Sequence, residues 1–221
     1  MKRLFLPGLL SLLLLAACAP QASTPQTSTP LITGPVGFYP ANVGLDWVYQ
    51  PQGAAPTDPP YRVSILGPAS FNGTAATRYR FSGRGQERSY YRVVGGNGVW
   101  LLGFEEAITN SVVRFTPAMQ EYPATSALTV GAKWGGVTRV DSQIVVDGKI
   151  TPLEATSLEY SYQVVGRSNV SVGAGDFQVY RITLNLKPSK GDPQNYEIWF
   201  TPGIGEVRTQ AGLLLVDRNF K

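Results

Sequence analysis

Thr138-Arg139-Val140-Asp141-Ser142-Gln143-Ile144-Val145-Val146-Asp147-Gly148-Lys149-Ile150 decides the fold class. Up to Val146, β-branched or small residues alternate with polar ones, the period of a half-buried strand rather than of a helix. Asp147-Gly148 then sits between two short β-forming pairs. Asp-Gly readily takes the left-handed backbone that a two-residue hairpin needs, so the chain is expected to reverse there.

The same pattern recurs along the chain. Strands are expected at Val48-Tyr49, Tyr61 to Leu66, Thr77 to Ser82, Ser89 to Val94, Val99 to Phe104 and Val112 to Phe115. After Val146 they are expected at Leu158 to Val165, Phe177 to Leu186, Glu197 to Phe200, Gly205 to Thr209 and Leu213 to Asp217. Asn72-Gly73 and Gly95-Gly96-Asn97-Gly98 supply further turns. No long amphipathic helix is written anywhere; a short one is expected at Glu105 to Ser111 or Ala118 to Glu121. The fold class is therefore all-β: one antiparallel, strongly curved sheet, as a half-barrel or open barrel or sandwich, with at most one or two short helices.

Two stretches echo each other. Tyr39-Pro40-Ala41 precedes Val43-Gly44-Leu45-Asp46-Trp47, and Tyr122-Pro123-Ala124 precedes Val130-Gly131-Ala132-Lys133-Trp134. The spacings differ and the following strands do not match, which favours two similar lead-ins to a sheet over a duplicated half.

The N-terminus is a different kind of sequence. Lys2 and Arg3 precede an apolar run from Leu4 to Leu15, closed by Ala16 and Ala17, the three parts of a secretory signal. The run is too short for a spanning helix. Leu15-Ala16-Ala17-Cys18 matches the bacterial lipobox, so residues 1–17 read as a signal peptide and Cys18 as the lipidated mature N-terminus. One acyl chain holds reversibly and two or more hold stably, which makes the membrane the expected partner of an acylated Cys18. Ala19, in place of the aspartate that favours inner-membrane retention, points to the outer membrane where a cell has one. Residues 19–30 contain only Ala, Pro, Gln, Ser and Thr. Residues 18–37 thus read as anchor and tether, about 25 Å long as a coil or about 60 Å if polyproline-like, and 38–221 as a single β-domain.

Composition narrows the chemistry. The chain has 221 residues, no His and one Cys. This excludes Ser-His or Cys-His nucleophiles, imidazole-bound metal, an internal disulfide and a multi-thiolate site. Cleavage would remove two of the 19 basic side chains and leave 17 against 15 acidic ones, a balance that does not suit nucleic acid. Gly173-Ala174-Gly175 and Gly203-Ile204-Gly205 lack the third glycine and the following helix of a nucleotide loop, so they read as turns. No cofactor is indicated, and no catalytic residue is singled out.

The most one-sided charge lies in Arg62, Arg78, Arg80, Arg84, Arg88 and Arg92, with Glu87 the only acid between them. Arg78 and Arg80 alternate with Tyr79 and Phe81, which puts the arginines on one face of a strand and the rings on the other. Such a face could meet an anionic surface, or could simply keep the outside of a sheet soluble; solubility is the preferred reading.

Val170-Ser171-Val172-Gly173-Ala174-Gly175-Asp176-Phe177 resembles a strand-turn-strand motif of secreted bacterial proteins of unknown function, with Gly173 where proline is usual. Trp199-Phe200-Thr201-Pro202-Gly203-Ile204-Gly205-Glu206-Val207-Arg208 resembles a later hairpin of the same proteins, and Gly44-Leu45-Asp46-Trp47-Val48-Tyr49 the motif that opens their sheet. The resemblance implies a curved antiparallel half-barrel akin to the lipoprotein carriers of the Lol system, without carrying over an activity residue by residue.

Three functions follow as expectations. The first is an envelope lipoprotein with a non-catalytic binding or structural domain. The second is a carrier or sensor of a hydrophobic ligand such as an acyl chain; an open apolar cleft would favour it and a filled concavity would end it. The third and least expected is a carboxylate-dependent hydrolase, which needs two acidic residues converging in one cleft. An envelope protein is a further expected partner.

Overall fold

The computed structural model describes residues 36–221. The expected signal peptide, Cys18 and the expected tether as far as residue 35 lie outside the described residues. Thirteen strands follow in order: β1 Asp46–Pro51, β2 Tyr61–Phe71, β3 Thr74–Gly83, β4 Gln86–Gly95, β5 Gly98–Glu106, β6 Ser111–Pro123, β7 Lys133–Val146, β8 Lys149–Pro152, β9 Thr156–Val172, β10 Gly175–Pro188, β11 Gln194–Thr201, β12 Gly205–Arg208 and β13 Leu213–Arg218. Among the described residues the only helical element is a 3₁₀ turn at Thr125–Ala127. Neither expected helix forms: Glu105 to Ser111 is a strand–turn–strand junction, and Ala118 to Glu121 continues β6.

The sheet is all antiparallel and curved, and it goes further than a half-barrel. β13 pairs back onto β1, with Trp47 opposite Arg218. β6 pairs with β7, with Ser111 opposite Ile144. β7 presents its other edge to β9 at Lys133 to Val140 and to β8 at Gln143 to Val146. Twelve strands therefore close into a barrel, and β8 hangs outside the ring as the return arm of the Asp147-Gly148 hairpin. Asp147 and Gly148 both take positive φ, 51° and 74°, as the sequence predicts. Closure pairs the edges of the ring that an open sheet would leave exposed.

The echo between the two lead-in segments is more than local. Gly44 and Gly131 adopt φ of 86° and 89°. Gly44 donates its N–H to Ile65 on β2, and Gly131 donates to Val164 on β9. Leu45 and Ala132 each close a turn on the residue three back, and each accepts the return bond from Ile65 or Val164. Trp47 and Trp134 then start β1 and β7, with their indole N–H groups bonded to the carbonyls of Ile204 and Glu121. Each lead-in heads six strands of the ring: β1 to β6, then β7 and β9 to β13. Two matched half-barrels are a larger correspondence than two similar lead-ins. The sequence hides it because the β8 hairpin interrupts the second half between its first two ring strands and the side chains filling the halves differ.

The interior is packed by Val99, Val164, Val179, Ile182, Leu184, Phe200 and Leu215, all 1 % exposed or less. The segment before β1 closes one end. Phe38 packs edge-on against Phe200, and Tyr39 packs between Tyr79 and Tyr122. Tyr79 donates to the Pro40 carbonyl at 2.8 Å and Gly203 N–H to that of Phe38 at 2.9 Å, pinning this segment inside the ring. Gly173, at the β9–β10 turn, lies against Val216: an added Cβ would stand 3.0 Å from its Cα.

Candidate functional site

The barrel is not filled throughout. A cavity of about 350 Å³ lies among β1 to β6, β11 and β12, walled by Trp47, Tyr49, Val63, Tyr79, Phe81 and Tyr90, with Arg88, Arg92, Glu121 and Glu206 on its lining. Its volume falls within the range of small-molecule sites. The exposed part of the lining is Gln86, Gln210 and Ala211, beside the β3–β4 and β12–β13 turns. Strand direction places those turns at the end of the barrel opposite the Phe38–Pro40 plug, so the cavity opens away from the end at which the described chain begins.

Three strands bring the charged groups together, and irregular register aims two of them. On β4, Arg88, Tyr90 and Arg92 alternate inward by ordinary pleating. On β6, Val99 faces Tyr122 while Trp100 faces Gln120, leaving Glu121 as an extra residue in the ladder. On β12, Phe200 faces Glu206 while Trp199 faces Arg208, leaving Val207 extra. A bulge breaks alternation, so two consecutive residues turn into the barrel: Glu121 with Tyr122, and Glu206 with Val207.

Arg92 Nε and Nη2 donate to Glu121 Oε2 and Oε1 at 2.6 and 3.0 Å, a bidentate pair whose side chains are 11 % and 14 % exposed. The rings of Tyr79 and Tyr90 lie 5.0 Å from the same guanidinium and that of Tyr39 5.9 Å, a cation–π cage. Arg88 pairs with Glu106 at 2.8 Å and donates to the Tyr90 hydroxyl. Glu206 differs. Tyr122 donates to its Oε1 at 2.7 Å, and the Tyr49 hydroxyl donates to its main-chain carbonyl at 2.8 Å. No basic side chain bonds this carboxyl, and among the described residues its Oε2 receives no hydrogen bond. Burial pushes the Glu206 carboxyl up to about 7; the Tyr122 hydrogen bond and Arg92 oppose the rise and Glu121 adds to it. Burial also raises Tyr49 and Tyr122, and the negative field of Glu206 raises them further.

The six arginines that stand out in the sequence separate by face. Arg62 pairs with Asp46 on the exterior at 2.8 Å, Arg78 donates to Ser89 Oγ, Arg80 is exposed, and Arg84 in the β3–β4 turn donates to the Pro59 carbonyl. Tyr79 and Phe81 face inward, so the alternation predicted for β3 is what forms. Arg88 and Arg92, one strand later, line the cavity and do not extend the outer face. Pleating relates residues within a strand, and the sequence does not say which face of the next strand aligns with it.

Sequence reasoning does not single out Glu121 and Glu206. The available signal is their position: each acid directly adjoins an apolar residue of its strand, Tyr122 and Val207, where alternation assigns the two to opposite faces. The concavity is neither of the two extremes that bear on a carrier, being partly filled and partly open, with an aromatic wall and a charged lining. The two carboxylates do meet in one cleft, the arrangement a hydrolase requires.

No family model matches the chain, and no curated protein does. Among solved structures it is similar to a candidate lipoprotein from Parabacteroides distasonis ATCC 8503 (11 % identity, TM-score 0.47, 84 % of this chain and 99 % of that one). It is also similar to a candidate exported protein with a YmcC-like fold from Bacteroides fragilis NCTC 9343 (12 % identity, TM-score 0.45, 83 % and 99 %).

Proposed function

We propose that this chain is an envelope lipoprotein, held to a membrane by an acylated Cys18, whose barrel binds a small molecule without catalysis. The observation that carries the binding reading is the 350 Å³ cavity with aromatic walls and two arginines and two glutamates on its lining. A barrel whose interior served only as a core would be expected to fill this space with aliphatic side chains. The charged lining favours a ligand with a polar head over a bare acyl chain, whose methylenes would desolvate Glu206 and the Arg92–Glu121 pair without replacing the lost hydration.

The convergence of Glu121 with Glu206 favours a hydrolase as the second reading. Acid–base work by two carboxylates needs one of them free to act as base or nucleophile. Both oxygens of Glu121 are engaged by Arg92, which leaves Glu206 alone.

Native mass spectrometry of the mature protein from its own cells tests the binding reading. A stoichiometric small molecule released on denaturation is expected, and a spectrum of bare protein would overturn it. Cys18→Ala is expected to abolish acyl labelling and release the protein from membranes, the outer membrane where one exists; retention would remove the anchor.

A further inference from the structure

Charge accounting inside the cavity leads to a ligand class, an inference that rests on the binding reading above. Each arginine on the lining already has its own carboxylate: Arg92 has Glu121, and Arg88 has Glu106. Glu206 has only the Tyr122 phenol, and its second oxygen takes no hydrogen bond among the described residues. The groups that act on it from the surrounding elements are Tyr39 from the plug, Tyr49 on β1, Arg92 on β4, Glu121 and Tyr122 on β6 and Tyr162 on β9. Of these, Tyr39 and Tyr49 line the cavity with Trp47, Tyr79 and Tyr90, a ring-rich wall that suits a cation, and the single arginine is already paired.

We infer that the cavity binds small organic cations, a protonated amine on an aromatic or apolar body, with the ammonium on Glu206 Oε2 and the body against Trp47, Phe81 and the tyrosines. The ammonium displaces a proton from the Glu206 carboxyl: the O–H bond breaks, the proton leaves to solvent, and the carboxylate accepts N–H bonds from the ligand. Because the carboxyl titrates near neutrality, the empty site is largely protonated below pH 7 and the cation competes with that proton. Anions are disfavoured, since a second carboxylate would meet Glu121 and Glu206 with no unpaired arginine to offset them. The opening beside Gln86 and Gln210 lets the ligand enter from the end opposite the plug.

Three probes sharing one body test this: phenethylammonium, phenethyl alcohol and 3-phenylpropionate. Each is titrated calorimetrically into the mature acylated chain in a nonionic detergent, with matched detergent in the syringe. Phenethylammonium, protonated throughout the range, is expected to bind about thirtyfold more tightly at pH 8.5 than at pH 5.5, the ratio set by the fraction of Glu206 ionised. It is also expected to release a proton, read from the dependence of the heat on buffer. Glu206→Gln should abolish the pH dependence and cost at least tenfold in affinity at pH 8.5. Tyr122→Phe, which keeps the ring, should shift the affinity profile to higher pH by removing a bond that stabilises the carboxylate; this arm stands even where Glu206→Gln folds poorly. Equal binding of the alcohol, or tighter binding of the propionate, would overturn the cation assignment while leaving a ligand site in place. Failure of all three probes, with a bound species still seen by native mass spectrometry, would overturn the assignment and spare the binding reading. Failure of both would overturn both.

Discussion

The two half-barrels begin alike and end differently. Each opens with Tyr-Pro, a glycine at positive φ, the same hydrogen bonds to its second ring strand, and a tryptophan. In the second half, the third and fourth ring strands bury Val179, Ile182, Leu184, Ile198 and Phe200, and only Tyr196 of these two strands lines the cavity. In the first half the corresponding strands point Tyr79, Phe81, Arg88, Tyr90 and Arg92 inward, and a cavity remains. Since β10 and β11 show that this scaffold can be filled with apolar side chains, the open and charged region is not a requirement of barrel closure. Desolvating two ion pairs and an unpaired carboxylate also costs stability that apolar residues would not. That contrast points to a binding wall built mainly by the first half, with Glu206 reaching the cavity from β12 of the second, and to support from β10 and β11.

The largest effect is expected at Glu121. Glu121→Ala strands Arg92 without its carboxylate and is expected to lower stability by about 3–5 kcal/mol in urea unfolding. The double change Arg92→Met with Glu121→Leu, which fills the first half in the manner of the second, is expected to return stability to within about 1 kcal/mol of the parent. Failure of the double variant to recover would mean that the ion pair is structural.

A second effect is pH dependence. The folded-state carboxyl of Glu206 is raised above its unfolded value, so the folded protein binds this proton more tightly than the unfolded chain does. Its contribution to stability is full below about pH 4.5 and is lost as pH rises to about 7, a fall of about 3 kcal/mol. Glu206→Gln should remove that part of the slope in unfolding midpoints measured from pH 4.5 to pH 8. A slope unchanged in the variant would assign it to other groups.

A smaller effect is expected from Tyr122→Phe, which deletes one buried hydrogen bond for about 1 kcal/mol. It should also move the Glu206 titration upward, read from its carboxyl carbon resonance, because the Tyr122 bond favours the ionised form. The smallest belongs to the exterior: Arg80→Ala, exposed on the outer face of β3, should change stability by less than about 0.5 kcal/mol. A loss comparable with that of Glu121→Ala would erase the distinction between outer and inner arginines.

Most strands are legible in the sequence because alternation, β-branched residues and Asn-Gly or Asp-Gly turns are local properties, and the inward face of β3 follows from the same rule. The cavity is not legible for a related reason. Glu121 and Val207 are extra residues in their ladders, and a bulge exists only relative to a partner strand. Strict alternation sets Glu121 and Tyr122, or Glu206 and Val207, on opposite faces, whereas each pair enters the barrel.

Residue type and near neighbours suffice for the all-β class and for the Asp-Gly and Asn-Gly turns, and they carry the expectation of lipidation at Cys18. Closure of the ring, the matching of its two halves and the meeting of Arg92, Glu121 and Glu206 were decided only by tertiary structure. Those features depend on register between strands far apart in the chain, and register is fixed by the packing of the whole barrel.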